Sequence, residues 1–342
     1  MIDAALALVP VVLFLAVLVL MDSFKLVPLR VVVPLILAGA AAAVVGMRLH
    51  AWLLDGGRVP ATVLSRYVAP LTEEALKALP VAWLLARKRI GFLVDAAILG
   101  FAVGAGFALV ENVEYLRALG ESSVFLWIVR GFGTAVLHGG TTSILAVLAR
   151  ALEERRPRAG VAVVLPGLAV AVAVHSLYNH FILPPIVATL VLFVTLPVLF
   201  VAVFVRSEEG TREWLGTGFD SDLETLLTTL GKDAARSRVG QYLLSLRSRF
   251  EGPVVGDMMC FLRLHLELSI RAKGMLMARE AGFSMGVDDT VRAKLKELKY
   301  LERSIGPTGL LALQPMLRVS SRHLWQIWML ETEGAAGRGG RG

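Results

Sequence analysis

Thr72-Glu73-Glu74-Ala75-Leu76-Lys77 sets two adjacent carboxylates and an ammonium inside an otherwise apolar segment, 61–86. Lys77 follows Glu73 by four residues and Glu74 by three, so on a helix it reaches either one. Such a trio supplies a general base, a general acid or a metal ligand, according to how each charge is matched. Three later segments add groups of the same kinds. Glu111, Asn112 and Tyr115 follow Phe107; Gly131, Thr134, His138 and Thr141 recur at three- and four-residue steps; His175 and Asn179 are one helical turn apart. Carboxylates combined with imidazoles activate water for hydrolysis or hold zinc. The bland alternative for the first trio is an ion cluster that fixes helix packing, but two glutamates against one lysine leave a charge over. Arg130 is expected to extend to the headgroups from near its segment end. Glu114 and His180 read as interfacial residues.

The elements that carry these groups must cross a bilayer. A hydrophobic content of 56% and a mean hydropathy of +0.68 exclude an ordinary soluble protein. Stretches 4–21, 31–47, 61–86, 92–117, 124–149, 160–180 and 185–205 each approach the ~20 apolar residues a spanning helix needs. The backbone must satisfy itself in lipid, and the runs are too long for barrel strands, so an all-α polytopic protein with seven transmembrane helices is expected. The first stretch carries Asp3 and lacks a basic leader, so it reads as a retained span. Lys25, Arg30, Arg87, Lys88, Arg89, Arg150, Arg155, Arg156 and Arg158 follow the odd-numbered spans, against Arg48, Arg58 and Arg117 after the even-numbered ones. The positive-inside rule then puts the N-terminus outside and everything after residue 205 in the cytoplasm. It also accounts for the net charge of +7 without a nucleic-acid partner.

The expected organisation is a transmembrane catalytic domain, 1–205, a soluble helical domain of unknown role, 206–333, and a disordered Gly/Arg tail, 334–342. In the soluble part Leu223, Leu226, Leu227 and Leu230 form one helical face, and further helices are expected near 242–250, 258–279, 291–305 and 323–330. Gly100 and Gly104 are spaced for a close helix approach. The single cysteine, Cys260, excludes an internal disulfide.

The set Glu73-Glu74-Ala75-Leu76-Lys77, Phe107 to Glu111-Asn112 with Tyr115, His138, and His175-Ser176-Leu177-Tyr178-Asn179 resembles the motifs of the PrsW family of intramembrane proteases, and is similar in layout to the related CAAX-processing and bacteriocin-immunity (Abi) group. Glu111 stands where those relatives have histidine, which favours PrsW. The resemblance implies a bacterial, inner-membrane hydrolase acting in regulated intramembrane proteolysis on a single-pass substrate such as an anti-sigma factor, near the outer side. The catalytic candidates are Glu73, Glu74, Glu111 and His175, with Lys77, Asn112, Tyr115 and Asn179 in support. A zinc ion held by His138, His175 and one or two of Glu73, Glu74 and Glu111, Glu111 first among them, is one route and leaves a glutamate as base; a glutamate activating water directly, with Asn112, Asn179 or a histidine holding the oxyanion, is the other. Two rivals use the same residues: a non-catalytic scaffold, and an ion or proton transporter with Glu73, Lys77, Glu111 and His175 as a relay.

Overall fold

The computed structural model describes residues 2–119, 123–231, 234–283, 285–317 and 321–339, and every regular element among them is helical. The helices are α1 (Ile2–Leu20), α2 (Leu29–Leu54), α3 (Ala61–Val63), α4 (Ala69–Ala86), α5 (Leu93–Leu119), α6 (Val124–Ile128), α7 (Ala135–Arg155), α8 (Val164–Asn179), α9 (Pro185–Leu230), α10 (Arg238–Ser245), α11 (Gly252–Glu280), α12 (Asp289–Leu313) and α13 (Ser321–Gly339). Two π-helical turns interrupt them, Leu64–Val68 before α4 and Val129–Thr134 before α7. The chain forms two compact units, Met1–Glu208 and Glu209–Gly342, dividing within α9.

Six helical stretches are long and apolar enough to cross a membrane among the described residues, where the sequence suggests seven. The one that falls short is 61–86. It is cut into α3, a π-turn and α4, and Glu73, Glu74 and Lys77 all fall within the 18 residues of α4.

In the first unit α5 is the central helix, buried residue after residue from Val94 to Ala108 and packed on α1, α2, α4 and α7. Its small residues allow this. A Cβ on Gly104 would lie 2.1 Å from the His138 carbonyl oxygen on α7, and one on Gly106 would lie 1.9 Å from that of Ile36 on α2. The close approach that Gly100 and Gly104 suggest is therefore present. At the end where α4 leads into α5, Asp95 Oδ2 accepts from the Gly91 and Phe92 amides, while Arg150 Nε and Nη2 donate to the Gly91 carbonyl at 3.0 and 2.6 Å. Lys88 pairs with Glu153 beside them.

In the second unit α11, α12 and α13 cover the segments expected near 258–279, 291–305 and 323–330, while the one expected at 242–250 is α10 only to Ser245, followed by a 3-10 turn, Leu246–Ser248. Of the expected leucine face, Leu223, Leu227 and Leu230 are exposed, however, and Leu226 is half-buried. The buried side of α9 there carries Asp222, which pairs with Lys273 on α11 at 2.5 Å and accepts from Ser269; Gln326 on α13 donates to Ser269. A hydrogen-bonded polar cluster thus occupies an interior position that a leucine stripe would otherwise fill. The expected tail is helical through Gly339, and residues 340–342 lie outside the described residues.

Candidate active site

Glu73 and Glu74 differ by about 100° on α4, and the structure separates their surroundings. Glu74 is fully buried: Oε1 accepts from Lys77 Nζ at 2.7 Å, from Thr141 at 3.1 Å and from His175 Nδ1 at 2.8 Å. Glu73 instead lines a cavity of about 980 Å³ together with His50, Glu111, Arg130, His138 and His175. The Glu73 Oε2 atom is buried and has no hydrogen-bond partner among the described residues. His175 Nε2 stands 3.9 Å from it, and His50 Nδ1 lies 3.7 Å from Oε1.

His138 sits between the carboxylates. Lys77 Nζ donates to its Nδ1 at 3.2 Å and its Nε2 donates to Glu111 Oε2 at 3.1 Å, a pattern one neutral tautomer satisfies. Its ring packs edge-on to that of His175, with centroids 4.9 Å apart. Glu73, His138 and His175 each offer a ligand atom within 4.8 Å of the others. A tetrahedral zinc ion with bonds of ~2.0–2.2 Å spaces its ligands by about 3.4 Å, so small side-chain movements close the group. Two features support the fit: the unpartnered Glu73 oxygen, and the Glu74 carboxylate behind His175 Nδ1, which fixes that ring so that Nε2 faces outward. Of the three candidate carboxylates, Glu73 is the one grouped with the two histidines, while Glu111 is engaged by His138 and Arg130.

The supporting residues do local work. Pro70 has no N–H, so the carbonyls of Ser65 and Arg66 lose their partner one turn back and the helix widens into a π-turn. Both carbonyls are recovered from α8: Asn179 Nδ2 donates to Ser65 at 2.9 Å and Ser176 Oγ to Arg66 at 2.6 Å. This stitches the His175 helix to the Glu73 helix. Asn112 donates to the Ala7 carbonyl at 2.7 Å and accepts from Arg130 Nε at 3.0 Å. Tyr115 lies beneath the Arg130 guanidinium, 3.4 Å from it to the ring centroid. His180, expected at the interface, packs edge-on to Tyr67 and bonds the Ser176 carbonyl. Glu114 pairs with Arg117 at the exposed end of α5.

Two cavity residues escape the motif reading. Arg130 does not extend to headgroups; it is 9% exposed and faces inward, because the π-turn that carries it packs against α1 at Gly131, where a Cβ would lie 1.7 Å from the Leu6 carbonyl oxygen. The signal was available in the steps Arg130, Thr134, His138, four residues each. His50 stands alone near the end of α2, and its sequence neighbours carry no signal. The cavity is bordered by the ends of α2, α5 and α8, through Leu54, Tyr115 and Phe181.

No curated protein and no solved structure matches the chain. The family described as PrsW family intramembrane metalloprotease matches residues 27–205, a span of more than half the chain that includes every motif residue above. The chain therefore belongs to the PrsW family and is a multi-pass membrane protease.

Proposed function

We propose that the cavity hydrolyses a peptide bond of a single-pass membrane protein, in the manner of first-site cleavage of an anti-sigma factor, with Glu73, His138 and His175 as the ligands of a zinc ion. The observation that carries this reading is the meeting of the unpartnered Glu73 oxygen with two histidines at one cavity wall. In this reading α4 is the seventh crossing, the N-terminus is outside, the second unit is cytoplasmic and the membrane is the bacterial inner membrane. The cavity mouth then lies on the outer side, opposite the Lys/Arg-rich loops.

Zinc, when bound, lowers the pKa of its water and polarises a carbonyl. The chain's own residues do the rest. Glu74 and Lys77 neutralise one another, and Glu74 holds His175 in place. For His138 to enter the ligand set through Nε2, the ring would carry its proton on Nδ1 and Lys77 would donate to Glu74 alone; Glu111, released from the ring, could then take a proton from water and return it to the leaving amine. The polytopic scaffold reading leaves the open side of Glu73 without a purpose.

Co-expression with single-pass substrates tests the assignment. Glu73→Gln, Glu111→Gln and His175→Ala should each lower cleavage by about 10²-fold or more, and purified Glu73→Gln and His138→Ala should lose stoichiometric zinc. Cleavage undiminished in all three folded variants would refute the site. Full activity in chelator, with no bound metal, would replace the zinc version by one in which Glu73 activates water directly.

A further inference from the structure

Peptide hydrolysis needs a donor for the oxyanion, and each of the two amides offered by the motifs is already tied to a backbone carbonyl through one of its two N–H groups. Asn112 Nδ2 is bound to Ala7 and Asn179 Nδ2 to Ser65. Two buried cavity donors have no hydrogen-bond partner among the described residues, the Tyr178 hydroxyl and Arg130 Nη2, and of these only Arg130 carries a positive charge. Arg130 Nη2 lies 3.1 Å from Glu111 Oε2 as an ion pair. The guanidinium is held from three sides: Asn112 takes Nε, the Tyr115 ring lies against its plane, and Gly131 lets α1 close behind. That is the preorganisation an oxyanion site requires, since the donor needs no reorientation as charge develops.

We infer that Arg130 is a catalytic residue that binds the oxyanion of the tetrahedral intermediate, and that Asn112 and Tyr115 are the residues that position it. The inference rests on the hydrolytic reading of the cavity. Water oxygen bonds to the carbonyl carbon as one water proton passes to a cavity carboxylate, and the C=O π pair moves onto the oxygen, where Arg130 N–H groups receive it. The pair returns when the C–N bond breaks, and the amine leaves with the proton. A planar fork suits this task better than an ammonium, so lysine should substitute only in part.

The test uses the full chain in detergent micelles with dye-labelled casein, comparing wild type with Arg130→Gln, Arg130→Lys and Glu73→Gln, and records kcat, KM and thermal midpoint. Arg130→Gln should lower kcat about 10²- to 10³-fold with KM within threefold of wild type, and Arg130→Lys should recover at least tenfold of that loss. An Arg130→Gln enzyme with kcat within threefold of wild type, while Glu73→Gln is inactive, would overturn the inference and leave the site reading standing. So would an Arg130→Lys enzyme that keeps the wild-type midpoint and is as inactive as Arg130→Gln. Wild-type turnover in Glu73→Gln would overturn the site reading and this inference with it.

Discussion

Neutralising Glu74 would leave the Lys77 ammonium in the interior without its carboxylate, since both side chains are fully buried. Breaking a buried pair from one side costs roughly 3–5 kcal/mol. Glu74→Gln should therefore lower the thermal midpoint in detergent and lower activity as a consequence, whereas Glu73→Gln should abolish activity at an unchanged midpoint. Adding Lys77→Met to Glu74→Gln should restore part of the midpoint. Equal midpoints for the two single glutamine variants would contradict the division of labour. The sequence shows that a glutamate pair belongs to a site, and helical geometry says that the two cannot face the same way. It does not say which one faces the cavity, because that depends on where α8 and its His175 stand, a fact of tertiary packing.

Among elements, the separation of α5 and α7 sets whether Glu111 can meet His138. A methyl group on Gly104 would fall 2.1 Å from the His138 carbonyl oxygen, a backbone atom that cannot step aside. Gly104→Ala should push the helices apart, cost about 1–3 kcal/mol by overpacking and lower cleavage. Gly210→Ala, with nothing within 4 Å of its added carbon, is the control that should change neither. Activity and midpoint in Gly104→Ala equal to those of the control would show the contact to be slack. This packing was readable from the Gly100/Gly104 spacing. The first π-turn was readable only in part: Pro70 marks the lost N–H, but the donors that recover the Ser65 and Arg66 carbonyls lie on α8. For the same reason Arg130 reads as a snorkelling residue in sequence and stands in the cavity in space. The segment 61–86 shows the reverse case: the charges that mark it as functional are what keep it below the apolar threshold of its neighbours.

For the whole molecule, the two units should differ in their response to acid. In the second unit burial holds His265 neutral and pushes its pKa down to about 4 from an ordinary 6.5, against the attraction of Asp222. The unfolded chain takes up that proton near 6.5, so unfolding binds a proton between these values. The stabilisation is complete above 6.5 and is lost at up to about 1.4 kcal/mol per pH unit as the pH falls toward 4. Hydrogen exchange along α11 in the full chain should accelerate over this window, and His265→Gln should flatten the dependence. A slope unchanged by that substitution would show that another group is responsible.

The cavity has an electrical consequence. It opens space beside Glu73, His138 and His175, while α5 is packed solid from Val94 to Ala108 and the loop before it is bound by Arg150. Voltage drops across what excludes water, so the membrane potential falls over the packed part of the protein and not over the full ~30 Å of hydrocarbon. The field there is steeper than in the surrounding lipid, and the Glu74–Lys77 pair stands at its edge. Moving one elementary charge through the whole potential is worth about 2.3 kcal/mol per 100 mV. In the proposed topology, a neutral, hydrogen-bonded pair at that position would let a water-filled site reach into the membrane without offering ions a path through it.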